Sequence, residues 1–504
     1  MIVLSDPGKS IELTAEERRQ PQAEYAVKRF KFEESFRNYL GVWIITFLGL
    51  LLRGYHYLRN PSIWHDEVAT FLNVIKKGFV GLLGPLYHSG TGPPLLLWIQ
   101  KCVVLSLGES TYALRLVPFL ASCAALVVMA VLVSRLLGPV PAAASMLLVA
   151  CSDRLLWHAA EARPYSSDVL IASVLALLFI VSHKWTTRRR ALCFAGLAPF
   201  VVLVSYPGVF LLGGITIALV FVLVRQKQRP SPWLALIALG VSIAGAFLIL
   251  FFTTASAQRT RALNIEWEYA FPDWRHPAHV PLWLIRSSIG VFDYTMRPIG
   301  GFLVVAACIG AVSWWRGGER ELIVFLVAPL VLAAAAGLAH AYPYTGVRTM
   351  AFALPAIALL IGAGVQAAGD WADGSQRRAW LAGSIIGLPI LATLFLSLYR
   401  VCIPWRRADT GGAAAYVLEH RTEPEPVTAN QWEYEYYFRG LNGMFYPKLR
   451  LLQEKNQPSR YWIVLTSDDR AFATTIAESL HHSQVLERRE FLETTVMLIA
   501  NDIN

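Results

Sequence analysis

The sequence predicts a polytopic α-helical membrane protein that ends in a small α/β domain. Three observations carry this. Apolar runs near spanning length recur through residues 41–400, charged residues make up only 16% of the 504-residue chain, and from residue 401 onward the composition turns polar. Soluble domains average about 25% charged residues, and a helix needs roughly 20 mostly apolar residues to cross a bilayer. The net charge of +10 does not argue for nucleic acid. The Lys and Arg residues form short clusters between apolar runs, as basic residues do when they fix membrane orientation.

Taken in order, residues 1–40 read as a cytoplasmic leader. Its stretch YAVKRFKFEESFRNYL (25–40) mixes aromatic and basic residues at near-helical spacing, which suits a helix lying on the membrane surface. No cleavable signal peptide is expected, because residues 1–38 are too polar and the first apolar run lacks a small-residue cleavage site. About eleven spans follow, at 41–58, 113–134, 140–158, 166–183, 191–206, 208–225, 232–252, 299–315, 321–339, 349–368 and 379–400. Together they define a transmembrane domain, 41–400.

The segment PPLLLWIQKCVVLSLG (93–108) decides the topology. It is short and carries Gln100 and Lys101. If it lies along the outer interface, the clusters HKWTTRRR (183–190), RQKQR (225–229), WRGGER (315–320) and QRR (376–378) all share the cytoplasmic side with the basic leader. If it spans, all four face outward, against the usual Lys/Arg bias. The non-spanning reading therefore stands. The outer face then collects loops 59–112, 159–165, 205–208, 253–298 and 340–348.

Residues 401–504 form the soluble outer domain. Strands are expected at PVTAN (426–430), RYWIVLTS (460–467) and TTVMLIAN (494–501), with helices at GGAAAYVLEH (411–420) and DRAFATTIAESLHH (469–482). Alternating strand and helix indicates an α/β unit. It has no glycine-rich phosphate loop to support nucleotide binding. The six cysteines (102, 123, 151, 193, 308, 402) fall mainly in apolar segments without paired spacing, as small core residues do, rather than as disulfides or a metal site.

The stretch NPSIWHDEVATF (60–71) holds the first chemical candidates, Asp66 and Glu67. An acidic pair at a helix N-terminus is stabilised by the dipole. Carboxylates at membrane depth are also costly and by default functional, here as a general base toward a hydroxyl or amine or as cation ligands. His65, beside Trp64, fits interfacial packing. In EARPY (161–165), Arg163 can grip a phosphate with its fork, while Glu161 orients it or binds sugar hydroxyls. A local ion pair between two helices is the plain alternative. Asp153, His158 and Asp168 are lesser candidates.

In YPYTGVRTMAFALP (342–355), Arg348 and Tyr344 suit a lipid phosphate at the bilayer surface, and Arg348 equally suits a snorkelling anchor. Within 253–298, Arg259, Arg261 and Arg275 with Trp267 and Trp274 suit a substrate-covering loop. An aromatic belt explains the tryptophans as well.

The ordered set of an acidic pair in the first outer loop, HSGTGPPLLLW (88–98), GESTYALRLVP (108–118) and EARPY resembles the GT-C polyprenyl-phosphate-sugar glycosyltransferases. The nearest branch is that of protein O-mannosyltransferases and aminoarabinose transferases, of bacterial type. The likeness covers residues 41 to about 185 and continues through VRTMAFALPAIALLIGAG (347–364).

The resemblance implies a GT-C membrane enzyme of the bacterial inner membrane with its active site on the extracytoplasmic face. It would move a sugar from a polyprenyl-phosphate carrier to a lipid, glycan or protein acceptor, with inversion. Asp66 would activate or position the acceptor, Glu67 matches the second acidic residue, and Glu161, Arg163 and Tyr165 match the second-loop motif. Metal use varies within the family, so a divalent cation held by Asp66 and Glu161 stays open. The chain departs from the family in lacking the inserted lumenal domain of eukaryotic protein O-mannosyltransferases, and it has SGTGPP where the aminoarabinose branch has an EKP stretch. Two rivals from other classes are a transporter or flippase for a lipid-linked glycan and a non-catalytic envelope scaffold. The first calls for mid-membrane charges or paired half-helices, and the second needs no convergence of acids and arginines.

Overall fold

The computed structural model describes residues 37–226, 231–454, 457–466 and 483–501. The expected leader helix (25–40) falls almost wholly outside them, as does the expected helix at 469–482. Among the described residues, eight helices are long and apolar enough to cross a membrane, or ten if each of two bent pairs is one span. These helices make the chain an integral membrane protein. All eleven expected segments are helical, but not all qualify as straight spans. Thr187–Val204 opens on three arginines. The segment expected at 140–158 is two helices, Pro139–Ala150 and Asp153–Ala159, bent by 52°. The bend falls where Ser152 accepts a hydrogen bond from the Leu155 N–H and so caps a new helix.

Pro94–Leu107 is a helix of 14 residues, about 21 Å long at 1.5 Å per residue. That is too short for a hydrocarbon core of roughly 30 Å. Two prolines open it, and Gly108, at φ +83°, closes it. Residues 253–298, expected as a loop, are mostly helical. The preceding span reaches Gln258, and Val280–Thr295 meets the following helix, Gly300–Arg316, at 102°. Gly300 makes this corner, since a Cβ there would run into the carbonyl of Phe292. The Gly300–Arg316 helix packs closely on Leu354–Ala372, where a Cβ on Gly364 would overlap the backbone of Ala306. Leu354–Ala372 is mostly buried, so the motif around Gly364 supplies a central strut.

The small C-terminal domain is built on a five-stranded sheet in the order β2-β1-β3-β5-β4. The strands are β1 (Val427–Ala429), β2 (Phe445–Pro447), β3 (Arg460–Thr466), β4 (Ser483–Phe491) and β5 (Thr494–Asn501). β1 runs parallel to both β2 and β3, and β5 runs antiparallel to both β3 and β4. Central β3 buries Tyr461, Trp462, Ile463 and Val464 on its two faces, which is why it reads as a continuous apolar run. The sequence did not predict β2 or β4. β4, SQVLERREF, is a charged and mostly exposed edge with a bulge between Val485 and Glu487, a form that discourages edge-to-edge association.

Candidate active site

Asp66 and Glu67 occupy the first turn of the helix His65–Lys76. Consecutive helical residues point about 100° apart, and here they diverge into different surroundings. Glu67 is fully buried and saturated with partners. Arg115 grips it with Nε and Nη2 at 2.8 and 2.7 Å, the Ala162 N–H donates at 2.9 Å, and Arg407 Nη1 donates at 3.1 Å. It joins the first loop, the second loop and the linker to the C-terminal domain. This arrangement is that of a structural tie, not of a carboxylate open to substrate.

Asp66 faces outward and is ion-paired with Arg348; the two side chains are 17% and 22% exposed. The other arm of Arg348 lies 3.7 Å from Glu266, which is 57% exposed. Trp64 and Trp267 flank the Arg348 guanidinium at 5.9 and 5.4 Å from their ring centroids. Arg163 lies behind, donating to the Asp66 carbonyl at 3.3 Å, Thr70 Oγ1 at 3.2 Å and the Tyr165 hydroxyl at 3.4 Å. Burial works against its charge, but Tyr165 and Asp66 outweigh burial and hold the guanidinium above its ordinary value.

Glu161 pairs with His158 instead of Arg163: Oε2 meets Nδ1 at 2.7 Å, and His158 Nε2 meets the Tyr294 hydroxyl at 2.7 Å. Burial would raise the Glu161 carboxyl. The His158 hydrogen bond and the Arg407 and Arg163 charges outweigh it and hold the group below the ordinary value. Tyr165 packs its ring 4.7 Å from that of His158. The structure thus brings Asp66, Arg163, Tyr165 and Arg348 together, with Glu161 one layer below.

Tyr344 is placed elsewhere: its hydroxyl pairs with Ser288 at 2.9 Å on the helix Val280–Thr295, and its ring lies beside Trp283. Of the lesser candidates, Asp153 binds Arg400 and Trp405, and Asp168 accepts from Ser205. Asp66 is ion-paired with Arg348, and Glu161 is hydrogen-bonded to His158. Each already has a cationic or imidazole partner, and no group of three or more His, Cys, Asp or Glu residues fit to hold a metal occurs among the described residues. A groove of about 860 Å³ lies at the far end of the Leu354–Ala372 helix from Arg348, lined by Gly138, Gln366, Asp370 and Gly383 among others. It shares no residue with the site.

Sequence reasoning missed Arg115, Glu266, Tyr294 and Arg407 as site residues. Arg115 carried the best signal, a charge at the start of a long apolar run. Arg407 had none beyond being basic.

No protein-family model matches the chain, and no curated protein matches it in sequence. Among solved structures, it is similar to ArnT from Cupriavidus metallidurans bound to undecaprenyl phosphate. The TM-score is 0.56 and the identity 11%, over 91% of this chain and 97% of that one. The apo state of the same protein gives 0.52 and 12%, over 90% and 97%. The oligosaccharyltransferase AglB from Archaeoglobus fulgidus, in complex with an inhibitory peptide and a dolichol-phosphate, gives 0.45 and 12%, over 86% and 70%. Over nine-tenths of its length the chain therefore shares the fold of ArnT from Cupriavidus metallidurans.

Proposed function

We propose that the protein is a glycosyltransferase that moves a sugar from a polyprenyl-phosphate carrier to an acceptor at the extracytoplasmic face of a bacterial inner membrane. The observation that carries this reading is the pairing of Asp66 with Arg348, both partly exposed, with Arg163 directly behind. The solved ArnT structure with undecaprenyl phosphate supports a carrier of that class. A sugar on a lipid phosphate has its leaving group already activated, so no nucleotide site is needed. What is needed is positive charge for the departing phosphate and a base for the acceptor.

Arg348 and Arg163 supply the charge as preorganised donors. The arriving phosphate competes with Asp66 for Arg348, and the freed carboxylate takes the proton of an acceptor hydroxyl or amine. Donor binding therefore unmasks the base. The acceptor attacks the anomeric carbon as the bond to phosphate oxygen breaks, which inverts that centre through an oxocarbenium-like transition state. Glu161, with His158, holds the second-loop backbone and Tyr165 against this centre. Purified protein given radiolabelled polyprenyl-phosphate sugar and an envelope-glycolipid fraction is expected to release the lipid phosphate and label the acceptor, and Asp66→Asn should not. Full turnover by Asp66→Asn would remove the base assignment, and no turnover by the wild type across donor sugars would remove the reading.

A further inference from the structure

The backbone leading into Asp66 is held by the C-terminal domain. The Ile63 N–H donates to the Tyr437 hydroxyl at 3.0 Å, and the Ile63 carbonyl accepts from Thr410 Oγ1 at 3.2 Å. The His65 carbonyl accepts from Trp432 Nε1 at 3.2 Å. Ser62 Oγ donates to Asp409 at 2.9 Å and accepts from the Gly411 N–H at 3.1 Å. The Trp432 ring stacks on His65, the residue before Asp66, with centroids 3.8 Å apart.

Trp64, at the N-terminus of the helix that carries Asp66, provides no side-chain cap, so the helix does not fix its own start. Arg407 completes the attachment. It reaches Glu67 at 3.1 Å and lies 4.3 Å over the Trp157 ring, which ties the linker to the first outer loop and to the short helix Asp153–Ala159.

We infer that the C-terminal domain is a positioning element of the active site, which sets the place of Asp66 through Arg407, Tyr437 and Trp432. This rests on the reading of Asp66 as the reacting carboxylate. Residues 62–65 behave as a short strap clamped by the C-terminal domain. Tyr437 and Arg407 touch neither donor nor acceptor and act through Ile63 and Glu67. A ligand that tilts the C-terminal domain would shift Asp66 directly, since the last contact lies one residue away.

The test uses the full-length protein with Tyr437→Phe, which removes a single oxygen, and with Arg407→Gln and Arg407→Lys. Tyr437→Phe and Arg407→Gln are expected to lower kcat at least tenfold while donor KM stays within about threefold, because the misplaced group is the base and not the phosphate clamp. Arg407→Lys keeps the charge and is expected to recover part of the loss. Amide hydrogen exchange of residues 60–67, which needs no substrate, should rise in Tyr437→Phe and Arg407→Gln while the five-stranded sheet stays protected. Unchanged exchange in this strap overturns the inference, as does unchanged kcat with a shifted donor KM. Raised exchange in a protein whose wild type turns over no lipid-phosphate sugar would leave the clamp standing and remove only the functional reading.

Discussion

Asp66 and Glu67 show how much one helical step decides. Glu67 is enclosed with Arg115 and Arg407, and removing one partner of a buried charge network leaves the others uncompensated, typically at 3–5 kcal/mol. Glu67→Gln is therefore expected to lower thermal stability in detergent by about that much, with activity lost in parallel. Asp66→Asn breaks a partly exposed pair, worth about 1 kcal/mol or less. It should melt close to the wild type while losing at least about a hundredfold in turnover. Equal melting of the two variants would contradict this division of roles. Glu161 adds a pH signature. Its carboxyl is held below the ordinary value, so its contribution is present above the normal carboxylate range and fades as pH falls through the lowered value. This contribution should hold from neutral pH to about 5 and fade below about 4.5, and Glu161→Gln should remove that part of the acid-side decline. The sequence announced the acidic pair but could not rank its members, because Arg115 and Arg407 lie 48 and 340 residues away from Glu67.

At the scale of elements, hydrophobic periodicity located every long apolar helix, since burial in lipid leaves a run that needs no knowledge of partners. It missed Val280–Thr295, whose sequence VPLWLIRSSIGVFDYT mixes arginine, serines and aspartate with aromatic residues and so resembles a loop. As a helix, it presents Ser288 to Tyr344 and Tyr294 to His158. It missed β4 because an edge strand facing water has no apolar run to detect. The short helix Pro94–Leu107 fixes the parity of everything downstream. If it does not cross, a cysteine placed at Arg275 should react with a membrane-impermeant maleimide added outside intact spheroplasts. Cysteines at Thr186 and Asp373, in a background without the native cysteines, should react only after lysis. All three positions are exposed. Labelling of Thr186→Cys from outside would reverse the orientation.

Across the whole molecule, four arginines (115, 163, 348, 407) gather around the buried carboxylates of Glu67 and Glu161 and the partly exposed Asp66, with the exposed Glu266 beside Arg348 as the fourth acid. In the free protein Arg348 is shared between the Asp66 and Glu266 carboxylates. A lipid phosphate reaching Arg348 would take the place of these two carboxylates and present a stronger, multidentate acceptor. Ligands that bind only the folded state stabilise it by mass action, by about 2.7 kcal/mol at a hundred times Kd. Undecaprenyl phosphate is therefore expected to raise the unfolding temperature of the purified protein in a concentration-dependent way, whereas the uncharged polyprenol at equal concentration should not. Arg348→Ala should abolish the shift, because Arg163 alone sits deeper and is already committed to Thr70, Tyr165 and the Asp66 carbonyl. Glu266→Gln should enlarge the shift at a given lipid concentration, since one of the two carboxylates competing for Arg348 is gone. An equal shift with the alcohol would mean that the lipid is held by its tail alone and that the arginines serve only to hold the fold.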